Sequence, residues 1–176
     1  MKSFLFWCVT FLLAGSVQAA SFTFTGFYHE ESDEWQPTAS VWGYFESQDL
    51  NGDGIHERYE VSEFFIGDQR FIGGCGEASI CGLFRFSWVP GGALDFHAGY
   101  GMLSPETGEA WADYSFETGF GQRSIWNTGG GWNSNTYSWR PETTVQISGV
   151  PEPGAYAMLA LGLAVVGLRR MSDRRR

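Results

Sequence analysis

The sequence predicts an all-β fold, an antiparallel β-sandwich or open barrel, for residues 20–149. Three observations predict it. Several stretches alternate apolar and polar residues with a period of two, the pattern of half-buried strands. Glycine is abundant, at 24 of 176 residues, and punctuates those stretches as turns do. Helical spacing is hard to find before residue 154.

Ser21–Tyr28 sets Phe22 and Phe24 against Thr23 and Thr25 and reads as the first strand. Ala39–Phe45, rich in β-branched and aromatic residues, reads as the next. Leu83–Val89, Pro90-Gly91-Gly92 and Ala93–Tyr100 read as strand, turn and strand of one hairpin. Trp111–Glu117 and Thr143–Ser148 alternate again. The stretch 20–149 is long enough to bury a core of its own. Strand order is not legible at this level.

The two ends differ from the body. Residues 1–19 read as a secretory signal helix: Lys2 opens it, Phe4–Leu13 is apolar apart from Thr10, and Val17-Gln18-Ala19 offers small residues for a signal peptidase cut after Ala19. Cys8 follows Phe6-Trp7, a setting unsuited to lipoprotein modification. At the other end, Gly154–Leu168 carries no charge and is followed by Arg169, Arg170, Arg174, Arg175 and Arg176. As a helix this apolar run spans about 22 Å, short against a hydrocarbon core of roughly 30 Å. The arginines extend its reach by snorkelling, and their charge places the C-terminus on the cytoplasmic side of an inner membrane.

Val150, the triplet Pro151-Glu152-Pro153, the apolar segment 154–168 with Gly162-Leu163, and the terminal arginines together resemble a PEP-CTERM sorting signal over residues 150–176. The resemblance implies recognition by an exosortase, cleavage near the Pro-Glu-Pro, and release to the cell surface or an exopolysaccharide matrix. The same tail is also labelled an ice-binding protein C-terminal domain, and no such activity is implied for the body. Two prolines within three residues favour the extended chain a protease grips.

Charge narrows the partners of the body. All 20 acids except Asp173 lie in residues 20–153, against five arginines: Arg58, Arg70, Arg85, Arg123 and Arg140. Without a basic stripe, nucleic-acid binding is excluded. Such acidity suits solubility outside the cell and divalent-cation binding. Cys75 and Cys81 remain once the signal is gone, and an exported chain meets an oxidising compartment, so a disulfide between them is expected.

Asp49-Leu50-Asn51-Gly52-Asp53-Gly54-Ile55-His56-Glu57-Arg58-Tyr59-Glu60 matches a twelve-residue calcium loop. Asp49, Asn51 and Asp53 would offer side-chain oxygens, Ile55 a carbonyl, Glu57 a contact through water and Glu60 a two-oxygen clamp. His56 stands where an apolar residue is usual, and flanking helices are missing. The loop therefore reads either as a calcium site set between strands or as a polar Asn-Gly-Asp-Gly turn without metal.

Trp42, Trp88 and Trp111 fall in expected strands and are expected in the core. Trp126, Trp132 and Trp139 belong to a glycine-rich segment mixed with Asn, Ser and Thr. Flat rings beside amides and hydroxyls suit stacking on sugar faces; rings folded back over a sheet edge would look the same in sequence. Catalytic residues are not identified: no nucleophile motif is present, and Glu30-Glu31-Ser32-Asp33-Glu34 reads as a solvated turn. The expectation is a non-enzymatic surface or matrix protein, calcium-stabilised and touching glycan. The alternatives are an exported glycoside hydrolase-like enzyme and a structural module without ligand.

Overall fold

The computed structural model describes residues 17–74, 80–103, 110–127 and 131–149, together with Gly162. Its strands are β1 (Val17–His29), β2 (Glu34–Gln48), β3 (His56–Glu57), β4 (Val61–Ile66), β5 (Gln69–Arg70), β6 (Ile80–Trp88), β7 (Leu94–Leu103), β8 (Ala110–Glu117), β9 (Gly121–Asn127), β10 (Trp132–Ser138) and β11 (Thr144–Gly149). A single 3₁₀ turn, Arg58–Glu60, interrupts them among the described residues.

The strands form one open antiparallel sheet in the order β3-β6-β7-β8-β9-β10-β1-β2-β4-β5, with β11 beside β1. The all-β expectation holds, as one sheet instead of two separate ones. Its two halves share a core because their inner faces carry phenylalanines. Phe22 and Phe24 of β1 and Phe64 of β4 meet Phe96 of β7 and Phe116 of β8, with ring centroids 4.8 Å apart for Phe64–Phe96, 5.1 Å for Phe22–Phe96 and 5.2 Å for Phe24–Phe116. All five rings are fully buried. Each contributes roughly 1.5–3 kcal/mol by leaving water.

Two bulges decide which side chains face inward. In β1 the register shifts between Thr25 and Phe27, at Gly26, whose φ is 84°. The extra residue resets the alternation, so Phe27 joins Phe22 and Phe24 on the inner face. A side chain at 26 would also collide with Trp35, 2.8 Å from a Cβ placed there. In β6 the register shifts between Leu83 and Arg85. Leu83 and Phe86 stay buried while Phe84 and Arg85 both face solvent.

β1 joins the halves. Its first part pairs with β11, from Ala20↔Gly149 to Thr25↔Thr144. Its last two residues pair with β10, Tyr28↔Ser138 and His29↔Tyr137. The β1–β2 turn, which holds the acidic run, reinforces this short seam. Glu31 accepts hydrogen bonds from the Thr136 N–H (2.9 Å) and the Ser134 hydroxyl (2.9 Å), and Glu30 accepts one from Ser138.

Two expectations need adjustment. Val17–Ala19 are not helical: they open β1, opposite Gln48–Glu46 of β2. The rest of the signal segment lies outside the described residues, as does the expected membrane helix 154–168 apart from Gly162. Among the described residues no helix is long and apolar enough to cross a membrane. Trp42 and Trp111, expected in the core, are 52 % and 44 % exposed, whereas Trp88 is buried. Trp42 lies between the buried Val41 and Gly43, so alternation turns it outward.

Candidate functional site

An open concavity lies on the outer face of β6–β10, behind the phenylalanine core. It encloses about 770 Å³. Its floor is made by what is absent: Gly99 and Gly101 alternate along β7, and Gly82 pairs with Gly99 across β6. At Gly99 the bare backbone is required, because an added Cβ would sit 2.8 Å from the Tyr114 carbonyl oxygen. At Gly101 an added Cβ would meet nothing closer than 4.0 Å, so space there is open to a ligand.

The walls are aromatic and aliphatic. Phe84 shares the outer face with Ile80 and Gly82 by alternation, 51 % exposed, and its ring lies beside Gly82 and Gly99 and 5.1 Å from the His97 ring. Trp132 of β10, 58 % exposed, stands at the far side, with Ile125 of β9 between. From β6 to β10 is four strand spacings, about 19 Å at ~4.8 Å each. Asp113 of β8 sits mid-groove, paired in register with Gly101 on one side and Ile125 on the other. It is exposed and has no hydrogen-bond or ion-pair partner among the described residues. The nearby acids Asp95 and Glu117 are engaged differently: Arg85 donates to both, at 2.9 Å. Partial burial opposes ionisation of Asp95, but hydrogen bonds from Arg85 and Thr118 hold its carboxyl below the usual range. Those same bonds to Asp95 and Glu117 push the Arg85 guanidinium up.

The three tryptophans of the glycine-rich segment part company. Trp126 and Trp132 lie in the antiparallel pair β9–β10, with Trp132↔Asn127 and Asn133↔Trp126 in register. Alternation places Trp132 on the groove face and Trp126, 38 % exposed, on the other. Trp139 packs against the core, 5.2 Å from Phe24 and 6.2 Å from Phe27, and so is no part of the outer face. Sequence reasoning missed Phe84, His97 and Asp113. Their signal was faint: glycines at alternate positions in a strand, 99 and 101, mark a place where something approaches closely.

The acidic loop is a second candidate, and its carboxylates are turned on its own backbone. Asp49 accepts the N–H groups of Gly52 (2.7 Å) and Gly54 (2.9 Å), and the Gly54 bond in particular lowers its carboxyl pKa. Gly52 and Gly54 take φ of 78° and 79°, which only glycine adopts without strain. Asp53 accepts from the Ile55 N–H and from the Asn51 side-chain amide. Glu60, 3 % exposed, accepts from Leu50 and Asn51 through one oxygen and from the Glu57 N–H through the other. Among the described residues no three His, Cys, Asp or Glu side chains converge as a metal-binding group. Beneath the loop, His56 is buried against Trp88, ring centroids 5.0 Å apart. Its Nδ1, Trp88 Nε1 and Ser47 Oγ are buried without partners among the described residues.

Cys81 lies near the start of β6; Cys75 lies outside the described residues, as do Pro151, Glu152, Pro153 and the terminal arginines. No curated protein and no solved structure matches the chain. The family model of the PEP-CTERM protein-sorting motif matches residues 149–175, which marks the chain as an exported protein sorted by an exosortase.

Proposed function

We propose that this is a non-enzymatic surface or matrix protein that holds exopolysaccharide through the outer groove of β6–β10. The observation that carries the reading is the groove itself: solvent-facing Phe84 and Trp132 flank a glycine floor, with polar groups few and spaced. A concave apolar patch with aromatic rims and a few polar groups is the form of a ligand-contact surface. Aromatic faces bind the C–H faces of pyranose rings, while Asp113 and His97 offer hydrogen-bond partners to hydroxyls. A glycosidase would need two carboxylates flanking the bond to be cut. Among the described residues Asp113 is the one carboxylate that lines the groove, and Asp95 and Glu117 are engaged with Arg85.

In this reading signal peptidase removes residues 1–19 and the chain is held briefly in the inner membrane with its C-terminus cytoplasmic. An exosortase then releases it to the surface. Cys75 is the partner of Cys81, closing the glycine-rich loop ahead of β6. The Asp49–Glu60 loop takes calcium where its exposed oxygens turn from backbone N–H groups to the ion; calorimetric titration is expected to give uptake that Asp53→Asn abolishes, and silence in the unaltered protein removes calcium from the account.

The test of function is retention of the surface-released protein on the producer's own exopolysaccharide, with chelator and with calcium. Retention that Trp132→Ala and Phe84→Ala each abolish is expected. Absence of retention under both conditions overturns the glycan reading.

A further inference from the structure

We propose that Asp113 is the selectivity residue of the groove, admitting uncharged glycan chains and rejecting those that carry carboxylates. The inference rests on the glycan reading above and adds the class of sugar. The groove is mostly apolar, and Asp113, its one lining carboxylate among the described residues, sits on the third of its five strands. Its Oδ1 is 4.0 Å from where a Cβ on Gly101 would lie, so it leans over the open floor. A chain spanning Phe84 to Trp132 must pass this carboxylate.

An unpaired carboxylate has two effects on such a chain. It accepts hydrogen bonds from hydroxyls, which an uncharged pyranose has in plenty, and charge-assisted bonds of this kind are the stronger ones. It repels a uronate or other carboxylated sugar, and like charges brought together in a partly desolvated site discriminate between partners. Among the described residues no arginine lines the groove to offset that repulsion. Arg85 is held by Asp95 and Glu117. Arg123 lies on the same face one register row away, opposite Ser115, and does not line the groove. The acidity of the body adds a background of the same sign. Asp113 therefore works by exclusion: it keeps the stacking surface for neutral chains in a matrix where acidic ones compete.

The experiment is affinity electrophoresis of the surface-released protein in gels holding soluble uncharged gluco-, manno- or galactans, or a polyuronate, with chelator throughout. The unaltered protein is retarded by at least one uncharged polymer and not by the polyuronate. Asp113→Asn keeps retardation in the uncharged gel within about threefold and gains on the order of tenfold in affinity for the polyuronate. Gly101→Val, which fills the floor without touching an aromatic ring, loses retardation in every gel while its thermal transition stays put. Equal retardation of the unaltered protein by polyuronate, or an Asp113→Asn variant that still ignores it, overturns the selectivity and leaves glycan binding standing. If neither the unaltered protein nor Asp113→Asn is retarded by any polymer, the glycan reading itself falls and the inference with it.

Discussion

Strands β6–β8 present two faces made from alternate residues of the same segments, and the faces could hardly differ more. Inward, Phe86, Phe96, Ala98 and Phe116 are almost fully buried among rings from β1 and β4. Outward, Gly82, Gly99, Gly101 and Asp113 leave a trough edged by an exposed Phe84. Apolar residues build both faces, so hydrophobicity alone does not tell core from site. What separates them is whether a second layer covers the ring. Inward rings meet the other half of the sheet; outward rings meet solvent and are left to contact something else.

Substitutions break this comparison in order of effect. Phe96→Ala, at the centre of the inner face, removes a ring touched by Phe22, Phe24, Phe64 and Phe116 and should cost about 3–5 kcal/mol in denaturant unfolding. Glu60→Gln leaves buried backbone donors of the acidic loop with a weaker acceptor, and roughly 1–3 kcal/mol is expected by the same measurement. Gly99→Ala and Gly101→Ala sharpen the outer face. The first forces the β8 backbone back from a 2.8 Å contact and destabilises by about 1–3 kcal/mol, while the second leaves stability nearly unchanged. Smallest of all, Trp132→Ala should shift stability by no more than about 0.5 kcal/mol, since its ring is largely in solvent. A large loss there would mean the outer face is structural after all.

The seam between β1 and β10 offers a pH test. The Thr136 N–H, ahead of the Ser134 hydroxyl, holds the Glu31 carboxyl below the usual glutamate range. A folded-state pKa below the unfolded one stabilises at neutral pH, and the stabilisation is lost as pH falls through the folded value. Asp49, lowered chiefly by the Gly54 N–H, behaves alike. Thermal stability should therefore fall on the acid side, and less steeply in Glu31→Gln, whose amide keeps an acceptor oxygen without the titration. Equal acid sensitivity of that variant and the unaltered protein would remove the seam as its source.

Much of the fold was legible. The strands at Ser21–Tyr28, Leu83–Tyr100, Trp111–Glu117 and Thr143–Ser148 were plain because most of each alternates and Pro90-Gly91-Gly92 marks an evident turn, even though bulges slip the alternation in β1 and β6. The β9–β10 pair was hidden, because its polar, tryptophan-bearing strands lack the apolar stripe of a buried face. Trp139 passed for a platform residue for the same reason: composition says nothing of which ring lies against Phe24. The acidic loop was found by its spacing, yet spacing does not say whether its oxygens face an ion or its own amides.

Local sequence by itself determined the class of the body, its acidity, its glycine turns and the sorting tail, since each depends on neighbours along the chain or on sums over it. Tertiary structure alone decided the groove. Its walls come from strands separated by some fifty residues, and the register slip in β6 sets Arg85 beside Phe84 on the outer face before Phe86 turns into the core. A period of two carries no mark of where it slips, and so the chain sets both faces of the sheet while the fold decides which one remains open.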